Sequence, residues 1–169
     1  PVVSKSLPPM RDLKAEATSI FLETIESIQL DSLIRKRLLL EGGRLLVEGK
    51  PLDLARYDEV VLVGLGKASV SMGVALETLL GDRLKRGVLV TNRKQRVKTR
   101  SAVIVAGHPL PDENSLKAGE RIVRLIESCS GDSLIIFAIS GGGSSLVELP
   151  VSNAITLEDL RDLNRVLIS

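Results

Sequence analysis

Aromatic residues are scarce in this sequence, and their scarcity restricts both the core and the ligands that the chain can bind. Trp is absent, and the three aromatic residues are Phe21, Tyr57 and Phe137. The core is therefore expected to consist of Val, Ile, Leu and Ala, a composition typical of parallel sheets covered by helices. Binding of nucleic acid through base stacking on aromatic rings is not expected.

Cysteine and histidine each occur once. Cys129 has no partner for an internal disulfide and is interpreted as a buried structural residue. A single histidine, His108, gives no support to a His/Cys metal cluster. No stretch approaches the roughly 18 consecutive apolar residues that span a bilayer, so a cytoplasmic chain without membrane contact is expected.

A large excess of charge of one sign is also missing. The net charge is +2 for 169 residues, and Lys and Arg are spread along the chain, so nucleic acid is not predicted as a partner. A basic run at residues 93–100 is interpreted as a solvated edge.

Residues 1–9 lack the pattern of a secretory signal and are predicted as a flexible segment before one domain at residues 10–169.

Apolar periodicity predicts helices first and then alternating strands and helices. An amphipathic helix is predicted over residues 10–28, and a second helix from Asp31 or Ser32 through residues 38–40, before Gly42 and Gly43 and a short strand at residues 45–47. Strands then follow over residues 60–64, 87–91, 102–106 and 134–139, with helices over about 68–80, 115–128 and 156–168. This order predicts an α/β fold with an open, mostly parallel, Rossmann-like sheet and helices on both faces, preceded by an amino-terminal helical segment.

Three loops are expected to meet at one edge of this sheet. They follow the strands that end near Gly64, Ala106 and Ile139. Right-handed crossovers bring the carboxyl ends of parallel strands to the same edge, where open α/β sheets bind their ligands. The sequence therefore predicts one crevice lined by all three loops.

The last of these loops is the most informative. It consists of Ser140, Gly141, Gly142, Gly143, Ser144 and Ser145, directly after an apolar strand. Glycines accommodate positive φ and allow N–H groups to turn inward, and serines add hydroxyl donors, so phosphate or carboxylate is the expected ligand. A flexible linker is the alternative, although Gly/Ser linkers seldom follow a buried strand directly.

The first loop contains Gly64, Gly66, Lys67, Ala68 and Ser69. Its glycines allow a tight turn from strand to helix, and a lysine at the helix start can reach a phosphate. The Walker pattern fails because Ala68 stands where Ser or Thr should be. Binding of NAD is disfavoured, because NAD sites have an acidic residue for the ribose about 20 positions after the glycines, and no acidic residue stands there at the end of the next strand. Binding of NADP remains a minor option.

The second loop carries His108 between Gly107 and Pro109, followed by Asp112 and Glu113. His108 is a candidate general base, and the alternative is a histidine that hydrogen-bonds its own loop. Asp112 is a candidate for the site and equally for the N-cap of the following helix.

In this order, the three loops resemble the amino-terminal domain of the type II glycerate 2-kinases. The matching segments are residues 64–69, residues 106–113, which read A-G-H-P-L-P-D-E, and residues 140–145. The resemblance extends from about Met10 to the end of the chain.

The resemblance implies transfer of the γ-phosphoryl group of ATP to the 2-hydroxyl of D-glycerate, giving 2-phosphoglycerate, with Mg²⁺ on the nucleotide. Lys67 would contact the transferred phosphoryl group, and His108 with Asp112 would shape the pocket or orient the hydroxyl. Glycerate carboxylate or nucleotide phosphate would be held by the remaining candidates: Gly64, Gly66, Ser69, Glu113 and residues 140–145.

The resemblance implies longer members with a second α/β domain, to which no part of the 169 residues is expected to correspond. The chain alone is therefore expected to have little kinase activity, and a carboxy-terminal domain or a homo-oligomer would complete the cleft. One alternative is a non-catalytic binding or assembly module. Another is an NADP-dependent reductase that uses Gly64 and Gly66 for the pyrophosphate and Arg93 or Lys94 for the 2′-phosphate.

Overall fold

A computed structural model describes residues 12–27 and 30–169 and forms an α/β fold with two sheets. The predicted segment at residues 1–9 lies outside the described residues. The α-helices and strands have the following bounds in chain order: α1 (Leu13–Ser27), α2 (Leu30–Arg37), β1 (Leu38–Glu41), β2 (Arg44–Val47), β3 (Lys50–Asp53), β4 (Glu59–Leu65), α3 (Ser69–Leu80), β5 (Leu84–Thr91), β6 (Ala102–Val105), α4 (Glu113–Glu127), β7 (Ser133–Ile139), α5 (Gly143–Leu146) and α6 (Leu157–Ile168).

The second sheet is parallel and has the strand order β6-β5-β4-β7. The chain runs outward from β4 through β5 to β6, and then returns to the other side of β4 as β7. The strand order therefore reverses between β4 and β7, which is the position where open α/β sheets bind ligands. This topology confirms the predicted open parallel sheet, and the loops after β4 and β7 lie side by side at the reversal.

Strand β4 lies at the centre of the core. Its residues Val61, Leu62 and Val63 are each 0% exposed, because helices cover both faces of the sheet. The core on one face includes Val70 of α3, and the core on the other includes Ile122 of α4. The core consists of aliphatic residues, as the composition predicts.

The amino-terminal part departs from prediction at residues 38–40. Helix α2 ends at Arg37, and the following leucines form β1 of an antiparallel sheet with the order β1-β2-β3. Gly42 and Gly43 have φ values of 55° and 81° and connect β1 to β2 in a two-residue hairpin. Positive φ at both central positions matches the twist of paired strands, so the glycines direct a hairpin and the predicted helical extension is wrong.

The connection between β5 and β6 is held by a buried carboxylate, and no helix forms there. Glu77 of α3 is 7% exposed. It accepts hydrogen bonds of 2.7 Å from the hydroxyls of Thr99 and Ser101, and bonds of 3.0 and 2.9 Å from the N–H groups of Arg100 and Ser101. Burial raises the pKa of Glu77, but these hydrogen bonds outweigh burial and lower the pKa below its usual value.

Replacing this carboxylate should destabilise the chain in a pH-dependent way. In Glu77→Gln, the amide NH₂ faces donors that the carboxylate satisfied, so the free energy of unfolding at pH 7 should fall by about 1–3 kcal/mol. Because the folded-state pKa is lowered, the contribution of Glu77 is present above its unfolded-state pKa and is lost as the pH falls through the folded-state value. Urea denaturation should therefore show a smaller difference between wild type and variant at acid pH.

Glu120→Gln is the matched control. Glu120 forms an exposed pair with Arg124 at 3.3 Å, so its loss should cost less than about 0.5 kcal/mol. A Glu77→Gln variant as stable as this control at pH 7 would contradict the role assigned to the buried carboxylate.

Candidate functional site

The loops after β4 and β7 are joined by hydrogen bonds at the point where the strand order reverses. We call residues 66–68 the lysine loop and residues 140–145 the triglycine loop. The N–H of Ser140 donates to Leu65 O at 2.8 Å, and the N–H of Lys67 donates to Gly141 O at 3.0 Å. The N–H of Ala68 donates to the Ser140 hydroxyl at 3.0 Å. The two loops therefore form one connected rim.

This connection requires a glycine at position 66. Gly66 has a φ of 110°, and a Cβ atom there would lie 2.4 Å from both the carbonyl and the hydroxyl oxygen of Ser140. Its N–H donates to Val90 O at 3.1 Å. Since the N–H groups of the lysine loop already have protein acceptors, this loop offers a ligand the Lys67 side chain and no backbone cradle.

Lys67 and His108 approach each other across Gly142. This glycine has a φ of 88°, and a Cβ atom on it would lie 3.2 Å from Cε1 of His108 and 3.2 Å from Cε of Lys67. Lys67 is exposed, and His108 is half-buried. The predicted convergence of the three loops is therefore present, and a cation and an imidazole line the same short stretch of backbone.

His108 is oriented by a buried serine. Its Nδ1 lies 2.8 Å from the hydroxyl of Ser145, which is 2% exposed. The carbonyl of Ser145 accepts a 2.8 Å bond from the hydroxyl of Ser115 on α4. Burial, together with the charge of Lys67, lowers the pKa of His108 below its ordinary value of 6.5. The imidazole is therefore predominantly neutral at pH 7.

Asp112 is the N-cap of α4. It accepts a 3.0 Å bond from the N–H of Ser115, and the Ser115 hydroxyl oxygen accepts a 3.0 Å bond from the N–H of Asp112. Glu113 is exposed in the first turn of α4, 3.9 Å from Lys117. The capping alternative is thus the one that the geometry supports for Asp112, and a direct role in the chemistry stays a prediction for both carboxylates.

Several predicted residues lie beneath the crevice. Ser69 is 0% exposed, and its hydroxyl donates to Val90 O at 2.7 Å. Gly64 is buried within β4, where a Cβ atom would lie 2.5 Å from Leu89. These residues allow close packing under the lysine loop. The surface of the crevice belongs to Lys67, His108 and the part of the triglycine loop that reaches solvent: Ser140, Gly141, Gly142, Gly143 and Ser144.

Ser115 is the residue that the sequence pattern missed. It connects the α4 N-cap to the carbonyl of Ser145 and so ties the second loop to the third. The signal was the spacing of Asp112 and Ser115, which is that of a capping box. Its second bond, across to Ser145, depends on tertiary packing and has no sequence signature.

The described residues contain no group of three or more His, Cys, Asp or Glu side chains arranged to hold a metal ion. Among the same residues, no helix is both long and apolar enough to span a membrane.

Comparison with known proteins finds relatives with two different names. It is 36% identical over 113 residues to the D-glycerate 2-kinase of Thermotoga maritima, covering 66% of this chain and 27% of the relative. It is 40% identical over 110 residues to a putative hydroxypyruvate reductase of Agrobacterium vitis, covering 64% of this chain and 28% of the relative.

A crystal structure of a glycerate kinase from Thermotoga maritima matches 92% of this chain with a TM-score of 0.72 and 31% identity, and the match covers 34% of that chain. The chain thus spans about a third or less of each of these relatives. The family model described as a domain of unknown function, DUF4147, matches residues 16–169. The chain therefore belongs to the DUF4147 family and is related to the glycerate 2-kinases, as the resemblance of its three loops predicted.

Proposed function

We propose that this chain forms the amino-terminal part of an ATP-dependent D-glycerate 2-kinase and contributes one wall of its active site. The observation that carries the proposal is the approach of Lys67 and His108 to Gly142 at the reversal of the strand order. The reaction forms a bond between the 2-oxygen of glycerate and the γ-phosphorus, breaks the bond from that phosphorus to the bridging oxygen, which leaves with ADP, and releases the proton of the 2-hydroxyl to solvent. Catalysis of this step depends mainly on positioning and on stabilisation of negative charge.

Lys67 is the residue best suited to stabilise that charge. Its ammonium group carries three donors on a flexible stem, and none of the ion pairs found among the described residues involves it. We assign it to the transferred phosphoryl group. Bound Mg²⁺ would add charge neutralisation on the nucleotide phosphates.

His108 acts in this proposal as a hydrogen-bond donor. The Ser145 hydroxyl is buried, and its partner is Nδ1 of His108 at 2.8 Å. A buried hydroxyl that failed to donate would cost about 1–3 kcal/mol, so Ser145 donates to Nδ1. The proton of the neutral imidazole then resides on Nε2, where it can donate to a carboxylate or phosphate oxygen of the ligand.

The tautomer of His108 can be measured directly, because it is the only histidine in the sequence. Long-range ¹H–¹⁵N NMR of the wild type should show an Nε2–H imidazole with a pKa below 6.5. Lys67→Met should raise this pKa, since it removes the neighbouring positive charge. Ser145→Ala should increase the fraction of the Nδ1–H tautomer. A predominantly Nδ1–H imidazole in the wild type would contradict the donor role.

Ligand binding tests the function itself. Calorimetric titration with Mg-ATP and with D-glycerate should show that Lys67→Ala weakens binding of ATP by about tenfold to a hundredfold, the effect expected for loss of a charge-assisted hydrogen bond. Lys50→Ala is the control, because Lys50 is exposed in the other sheet. Equal affinities in wild type and Lys67→Ala would contradict the proposal.

A reductase is the second candidate, and it is favoured by the name of the relative from Agrobacterium vitis. Hydroxypyruvate is the 2-keto counterpart of glycerate, so a carboxylate site would serve both chemistries, and glycerate binding alone does not discriminate between them. Binding of NADP in place of ATP would identify the reductase.

An assembly module is favoured by exposed apolar residues. Phe137 and Ile139 of β7 are 49% and 64% exposed, and Leu163 and Leu167 of α6 are 55% and 72% exposed. Self-association in sedimentation without binding of any of these ligands would support the module over both enzymes.

A further inference from the structure

A cavity of about 310 Å³ lies on the α3 side of β6, beyond the carboxyl end of β5. Four valines and two polar residues line it: Val70, Val97, Val103, Val105, Lys94 and Gln95. Its volume is at the lower end of the range for small-molecule sites, and its lining, apolar with few polar groups, is typical of them.

The cavity exists because the connection from β5 to β6 contains no helix. On β6, Ile104 packs into the core on the α4 face, so its neighbours Val103 and Val105 belong to the opposite face. They are 41% and 37% exposed, since no crossover helix covers them. The end of this connection nearest β6 is anchored, because Thr99, Arg100 and Ser101 are bonded to Glu77.

The cavity adjoins the lysine loop through two elements. Val70 lies in the first turn of α3, which begins directly after that loop. Val90 of β5 accepts the hydrogen bonds of Gly66 and Ser69 through its carbonyl. In Rossmann-type dinucleotide sites, the pyrophosphate lies at the helix start after the first strand, and a residue about 20 positions further on, near the end of the next strand, binds the ribose. The next strand here is β5, and Lys94 and Gln95 follow it.

Two buried polar atoms, at the end of β5 and directly after it, have no partner in the described part of the chain. They are the hydroxyl oxygen of Thr91, a residue that is 0% exposed, and the side-chain oxygen of Asn92. A buried acceptor without a donor is costly, and a ligand that supplies the donor recovers that cost. Asn92 precedes the polar lining residues Lys94 and Gln95 by two and three positions, and its side-chain oxygen lacks the donor that a ribose hydroxyl or an exocyclic amine would supply.

We propose that this cavity binds the purine base of the nucleotide. The valines pack against the faces of the base, and the amide of Gln95 bonds to its edge. Lys94, which the sequence pattern assigns to a solvated edge, then lies beside the nucleotide. The inference rests on the proposed function, because it requires the phosphates to be at Lys67.

A comparison of ATP with inorganic tripolyphosphate tests this assignment, since the two share the phosphates and differ in the nucleoside. By calorimetry at constant Mg²⁺, the wild type should bind ATP at least tenfold more tightly than tripolyphosphate. Val103→Phe, which fills the cavity, should reduce this ratio to nearly one and leave tripolyphosphate affinity unchanged. Gln95→Ala should reduce the ratio without altering the core. Val151→Phe is the control, because Val151 is 97% exposed and lies outside the cavity.

The same titrations distinguish failure of the proposed function from failure of the base site. Lys67→Ala should weaken both ligands and preserve their ratio. If neither ligand binds to the wild type, the proposed function and the base site are both overturned. If both bind with equal affinity, or if the ratio survives in Val103→Phe and Gln95→Ala, the phosphate site stands and the base site is overturned.

Discussion

The close approach of Gly66 to Ser140 is the contact on which the geometry of the candidate site depends. The two residues follow neighbouring strands, β4 and β7, that are paired along their whole length from Glu59 and Ser133 to Leu65 and Ile139. Because position 66 has no side chain, the two loops can exchange hydrogen bonds directly. The side chain of Lys67 is thereby brought to the triglycine loop.

The second constraint is electrostatic. The N-terminus of a helix carries a partial positive charge, which repels the positive charge of Lys67. The charge of Lys67 also lowers the pKa of the neighbouring His108 imidazole. Both effects favour an anion between Lys67 and His108, since bound negative charge relieves them. The buried bond from Ser145 holds the imidazole in place before any ligand arrives. The site is therefore preorganised on its imidazole side and adjustable on its lysine side.

The parallel sheet and the positions of its loops were predictable because their signals are local. Buried strands appear as apolar runs, and Gly66 and the triglycine loop mark their ends. Residues 38–40 were not predictable, since a run of leucines suits a helix or a strand and the outcome depended on pairing with β2. The burial of Ser69 and Ser145 depends on tertiary packing. The capping role of Asp112 is local, and it was one of the two roles that its position before a helix predicted. The valine cavity results from a missing helix, which has no positive signal in the sequence.

The most direct test of the central claim, that three loops form one anion site, is an NMR titration of the ¹⁵N-labelled chain with D-glycerate and with inorganic phosphate. The amides of residues 66–68, 107–108 and 141–144 are expected to shift together and to report a single affinity. Shifts confined to one loop, or spread over the basic run at residues 93–100, would contradict this claim.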